Sequence, residues 1–243
     1  MKNIYIIKTG STYPATAERY GDFDTWTAAG LGSENHVIQT VNVEKGSPLP
    51  SPESCSGIVI TGSHAMVTDR LPWSVAVEAW LPMVLDAGIP LLGICYGHQL
   101  LARAAGGEVG YHPRGREIGT VKIDLSDDAG EDPLFHGVPK TFEAHVIHAQ
   151  SVLRLPPKAI LLASNDYEPH HAFRLGDCAW GLQFHPEYDT RIIRDYIEAQ
   201  AEELESSGRD VQKIISAVTD TPVAASLLKT FANLVRSQSA SRT

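Results

Sequence analysis

The amino-acid sequence predicts an α/β fold: a mostly parallel sheet with helices on both faces, an antiparallel strand extension and C-terminal helices. Three observations predict it. Short β-branched runs alternate with amphipathic stretches in the first part of the chain, strand-like runs crowd together in the middle, and helical patterns return at the end. Residues 4–7, 37–43, 57–60 and 89–95 are short, apolar and bounded by Gly, Pro or Ser, as buried strands are. The clearest helix spans 73–85, where Val77, Trp80, Leu81 and Val84 recur at helical spacing. Strands that alternate with helices imply right-handed crossovers and a parallel sheet covered on both sides. Runs at 118–125, 141–147, 159–163, 171–175 and 179–184 follow with short breaks and read as antiparallel hairpins at the sheet's edge. A helix over 188–204 would carry Ile192, Ile193, Tyr196 and Ile197 on one face. Asp220-Thr221-Pro222 reads as a cap with Pro at the first helical position. It opens a last amphipathic helix with Val223, Leu227, Leu228, Phe231 and Leu234, and the tail at 237–243 is expected to fray.

At 243 residues, and with roughly 150 residues per domain, the chain has room for one to two domains. Hydrophobic residues at 43% and charged residues at 20% exclude a disordered, collagenous or coiled-coil chain. Apolar runs break well short of the ~20 residues of a membrane span. A net charge of −9 disfavours a broad nucleic-acid surface. Cys55, Cys95 and Cys178 form an odd, sparse set that suggests a reducing compartment, and the N-terminal apolar run is too short for a signal peptide, so a cytoplasmic location is expected. No Walker or Gly-x-Gly-x-x-Gly motif and no metal-ligand spacing occurs, so neither a cofactor nor a metal is expected. The histidine pairs 170/171 and 145/148 read as solvated or substrate-side. Trp73, Trp80 and Trp180 read as core, and Asp127, Asp128, Glu131 and Asp132 as a solvated loop.

The most informative segment runs from Ile89 to Ala102. An apolar strand enters Gly93-Ile94-Cys95-Tyr96-Gly97, and a helix follows at once, the sulfur counterpart of a Gly-x-Ser-x-Gly elbow. The glycines permit the sharp turn, which lifts Cys95 above the carboxyl edge of the sheet. At a helix N-terminus the thiolate, the reactive form, is favoured, and the Tyr96 N–H can donate to an oxyanion beside the sulfur. Cys55 and Cys178 lack this context and read as small buried hydrophobes.

A thiolate nucleophile needs a base, and the base needs an orienting group. Among ten histidines, His185 stands where an apolar strand ends, at the edge where Cys95 emerges. Glu187, two residues on, falls on the same side and can fix the imidazole tautomer.

Gly93-Ile94-Cys95-Tyr96-Gly97-His98-Gln99-Leu100 resembles the nucleophile motif of the class I, triad-type glutamine amidotransferases. Phe184-His185-Pro186-Glu187 resembles their His-Glu motif, in the family's order. The resemblance covers roughly residues 1–200 and implies a flavodoxin-like fold, with an amidotransferase domain at 1–205 and a helical extension of the same domain at 206–243. It implies that Cys95 attacks the side-chain amide carbon of glutamine and that His185, held by Glu187, protonates the departing ammonia and then activates water against the thioester. Tyr96 and Gly62, the latter in Ile60-Thr61-Gly62-Ser63, correspond to the oxyanion hole. Gln99, with His148 and Gln150, corresponds to substrate-binding positions. The nearest likeness is to the glutaminase of GMP synthase, whose Gly-Gly-Pro turn is here Thr61-Gly62-Ser63-His64 and whose His-Gly-Asp is His148-Ala149-Gln150. Similar stand-alone members include γ-glutamyl peptidases. The implied donor is thus glutamine or a γ-glutamyl compound, and the implied partner a separate synthase subunit that accepts ammonia. A non-catalytic binding or regulatory protein on the same scaffold is the reading from a different class.

Overall fold

A computed structural model describes residues 3–32 and 37–241. The chain opens with β1 (Asn3–Lys8), α1 (Pro14–Tyr20) and α2 (Phe23–Leu31), then β2 (Ile38–Asn42), β3 (Cys55–Ile60), α3 (Pro72–Asp86), β4 (Leu91–Ile94) and α4 (Tyr96–Ala104). Seven strands follow: β5 (Glu108–Tyr111), β6 (Glu117–Leu125), β7 (Thr141–His148), β8 (Gln150–Arg154), β9 (Ile160–Ser164), β10 (Ala172–Leu175) and β11 (Ala179–Leu182). The chain ends in α5 (Thr190–Ala199), α6 (Ala201–Ser206), α7 (Val211–Ser216) and α8 (Pro222–Ser241).

Nine strands form one sheet in the order β2-β1-β3-β4-β11-β10-β9-β6-β7, and β5 and β8 pair separately. The first five are mutually parallel and the rest antiparallel. The expected α/β class is thus what the chain adopts, with one refinement. The run read at 179–184 as part of an antiparallel hairpin pairs in parallel with β4, Gly181 opposite Gly93. This pairing sets the carboxyl end of β11 beside that of β4.

Helices cover both faces. On one face, Leu227, Leu228, Phe231 and Val235 of α8 pack with α2 over Ile4, Ile6, Val59 and Leu92. At roughly 1.5–3 kcal/mol for each such side chain fully buried, α8 belongs to the main core. Gly57 and Gly30 make room for it: a Cβ at Gly57 would lie 2.6 Å from Val235, and one at Gly30 2.3 Å from Leu228. On the other face, Val77, Trp80, Leu81 and Val84 of α3 join Leu100 and Leu101 of α4 over Ile58, Ile60 and Leu91. A third cluster ties α5, α6 and α7 to Phe23 and Trp26 of α2 through Ile192, Ile193, Tyr196, Leu204 and Val211.

Four other local readings change. The helix read over 188–204 begins after Asp189, whose carboxylate accepts from the N–H groups of Arg191 and Ile192, and breaks at Gln200 into α5 and α6. The pairs α1/α2 and β5/β8 and the short α7 are additional to the sequence reading. The tail expected to fray is helical as far as Ser241, beyond which residues 242–243 lie outside the described residues. Asp132, read as part of a solvated loop, is buried: it accepts from the Trp180 indole N–H at 3.0 Å and pairs with Arg174 at 2.8 Å.

Candidate active site

The turn between β4 and α4 is strained. Cys95 has φ 48° and ψ −95°, a conformation that an L-residue occupies at a cost of about 1–3 kcal/mol. Its N–H donates to the Leu182 carbonyl at 2.7 Å and its carbonyl accepts from Gln99 N–H at 3.1 Å, so both neighbours lock the turn. The flanking glycines are needed for close approach. A Cβ on Gly93 would lie 2.5 Å from the Gly97 backbone, and a Cβ on Gly97 would lie 2.5 Å from the Ile60 carbonyl oxygen. Gly181, opposite Gly93, leaves the space filled by His98, whose Nδ1 is 2.6 Å from where a Cβ would be.

Just beyond the end of β11, the backbone N–H of His185 donates to the His145 carbonyl at 2.8 Å. Its Nδ1 donates to Glu187 Oε1 at 2.8 Å, and its ring stacks on Tyr188 with centroids 4.1 Å apart. The other ring nitrogen, Nε2, and Glu187 Oε2 are buried with no hydrogen bond among the described residues. Gly62 lies against both His185 and Cys95: a Cβ there would lie 3.0 Å from His185 Cε1 and 3.8 Å from Cys95 Cβ. Burial disfavours charge on His185, but Glu187 and then Cys95 outweigh it and raise the imidazole well above its usual range. His145 is pushed the other way, down to about 4, by burial and then by His185, so it stays neutral beside it.

These groups lie at the floor of an open cleft. Cys95, Tyr96, Gln99, His148, Gln150 and His185 line it. Gly62 adjoins Cys95 and His185 from β3, and Glu187 stands behind His185. All eight residues singled out in the sequence therefore meet at one place, but their side chains do different things. The Tyr96 hydroxyl turns away to Ser74 at 2.6 Å, where burial pushes it up to about 12, leaving only its backbone beside Cys95. Gln99 Nε2 donates to the Gln150 carbonyl at 2.8 Å and to Gln183 Oε1 at 3.0 Å. Both ring nitrogens of His148 are engaged, Nδ1 with the Gln150 carbonyl and Nε2 with Glu117 Oε2, each at 3.0 Å. The Gln150 amide donates to Thr68 Oγ1 at 2.5 Å.

The sequence reading passed over several lining residues: Tyr13, His64 and Arg116, and Tyr188, Tyr196, Gln200 and Glu203 from the last third of the chain. It also passed over Glu117, which ties this wall together. Its carboxylate accepts from His148 and from Asn165 Nδ2 at 2.9 Å and pairs with His171 at 3.3 Å. Burial opposes the charge on Glu117, but the two histidines hold the carboxyl far below the usual carboxylate range. Among the described residues no cluster of His, Cys, Asp and Glu is arranged to hold a metal ion, and no helix is long and apolar enough to cross a membrane.

A cysteine on a strand-to-helix elbow thus lies beside a His-Glu pair at the carboxyl edge of an α/β sheet. The chain belongs to the class I glutamine amidotransferase family, whose pattern it matches over residues 22–201. It is 35% identical over 158 residues to a glutamine-hydrolysing GMP synthase of Aeropyrum pernix, covering 65% of this chain and 28% of that one. It is 30% identical over 184 residues to gamma-glutamyl peptidase 4 of Arabidopsis thaliana, covering 74% of this chain and 73% of that one. The matched segment is thus about a quarter of the GMP synthase's length and most of the peptidase's. In fold, it superposes on a glutamine amidotransferase from Thermotoga maritima with a TM-score of 0.78 and 22% identity, covering 97% of this chain and 98% of that one.

Proposed function

We propose that the protein hydrolyses a γ-glutamyl amide through a thioester on Cys95. The observation that carries this reading is the buried His185, held by Glu187 on one nitrogen and interacting with the elbow cysteine beside it. The Cys95 sulfur adds to the γ-carbonyl carbon, and the oxyanion is met by the Tyr96 N–H and the backbone at Gly62. The C–N bond then breaks, and His185 delivers its proton to the leaving amine. Water next gives a proton to His185 and its oxygen to the thioester carbon, releasing glutamate and restoring the thiol. The acyl half lies against Gln99, His148 and Gln150. In one version the amine is ammonia from glutamine, passed to a separate synthase subunit; the match to a GMP synthase supports it. In the other the protein acts alone on a γ-glutamyl peptide; the match over most of a gamma-glutamyl peptidase supports that version.

Single-turnover assays with glutamine and with a γ-glutamyl dipeptide, read by mass spectrometry, test the reading. A glutamyl adduct of wild-type Cys95, absent from Cys95→Ser, is expected. No adduct from either donor refutes the enzyme and leaves the non-catalytic binding protein. Glutamine turnover that rises only when a synthase is added selects the subunit version.

A further inference from the structure

The thioester reading requires the leaving amine to lie on the His185 side of Cys95, because His185 supplies its proton. From His185 the cleft wall is aromatic. Tyr188 stacks on His185, Tyr196 lies 5.3 Å from Tyr188, and Tyr13 lies 5.1 Å from Tyr196. Where this wall ends stands Arg116, the only Arg or Lys among the described residues that line the cleft.

Arg116 is held but not consumed. Its Nη1 donates to Gln200 Oε1 and, at 2.7 Å, to Glu203 Oε2, while its own carbonyl accepts from Arg209 at 2.9 Å. Tyr13 lies against the same Gln200. The guanidinium is a quarter exposed, and its Nε and Nη2 make no hydrogen bond among the described residues. That edge is the one that receives a carboxylate through two parallel N–H donors. Glu203, 65% exposed, is a solvated counter-charge, so the pair is a weak one that a ligand carboxylate can join.

Building on the thioester reading, we infer that Arg116 forms a subsite for the C-terminal carboxylate of the leaving group, so that the substrate is a γ-glutamyl peptide whose departing half is an amino acid or short peptide. The tyrosines form the apolar side of that subsite, and the Gln200 amide fixes the guanidinium.

The test uses γ-glutamylalanine and γ-glutamylalanylglycine, each as the free acid and as the C-terminal amide, with glutamine alongside. For the better of the two acids, wild-type kcat/KM is expected to exceed that of its amide at least tenfold. Arg116→Gln should bring that ratio to within about threefold of one by losing activity on the acid, and Arg116→Lys should restore part of it, as a lone charge replaces a fork. A wild-type enzyme indifferent to the amide, or equal losses on acid and amide in Arg116→Gln, overturns the subsite. Glutamine turnover without turnover of either peptide also overturns it, but leaves the thioester reading intact. If no donor acylates Cys95, both fall together.

Discussion

The floor of the cleft and its far wall draw on the same residue types, His and Glu, but dispose of their polar atoms in opposite ways. On the wall, Glu117 binds His148, His171 and Asn165, and both nitrogens of His148 are occupied. At the floor, His185 uses one nitrogen on Glu187, and the other nitrogen and Glu187 Oε2 are buried and unmatched. Buried polar atoms are nearly always hydrogen-bonded. The His185–Glu187 pair therefore keeps polar atoms open toward the cleft, whereas Glu117 and His148 on the wall have theirs occupied by protein partners. In the proposed reaction histidine and glutamate serve as chemistry at the floor, while on the wall the same residue types tie strands together, and the pattern of partners distinguishes the two.

The contrast can be broken at the floor first. Cys95→Ala should abolish the adduct and reduce turnover by about 10⁴-fold or more, measured under single-turnover conditions. Residual turnover above that level would place the nucleophile elsewhere. Glu187→Gln should lower kcat by about 10²–10⁴-fold while the fold stays intact by circular dichroism, because His185 loses its orienting carboxylate.

The wall should answer in stability. Glu117→Gln is expected to cost about 1–3 kcal/mol in urea unfolding, since a buried network loses its charged acceptor. Its pH dependence has a definite sign. The folded-state value of Glu117 lies below its unfolded value of 4.5, so the stabilisation is complete above pH 4.5 and is lost as pH falls toward the folded value. The gap between wild type and Glu117→Gln should therefore shrink below pH 4.5; a gap that widens in acid would remove the charged network. The smallest effect is expected for Gln150→Ala, about 1 kcal/mol from the lost Thr68 bonds, with KM raised more than kcat is lowered. A fall in kcat as large as that of Glu187→Gln would move Gln150 to the floor.

Much of the floor was legible because its signals are local. Gly93, Cys95 and Gly97 announce the elbow within five residues, and His185 and Glu187 are neighbours after an apolar strand. The wall was not, because its ties are long-range. Glu117 meets His148 and His171 only through the pairing of β6 with β7 and the turn before β10. The same holds for Arg116, whose partners Gln200 and Glu203 lie far along the chain at the break between α5 and α6.

By itself the sequence determined the alternation of strands and helices, the sharp cysteine turn and the His-Glu pair, because periodicity, glycine placement and adjacent side chains act over a few residues. Only the tertiary structure decided that β11 runs parallel to β4 and so delivers His185 beside Cys95. It alone decided that α8 joins the core, that Asp132 is buried under Trp180, and that Arg116 faces the cleft. Each of these depends on which distant surfaces exclude water together, and no local pattern in the chain encodes that choice.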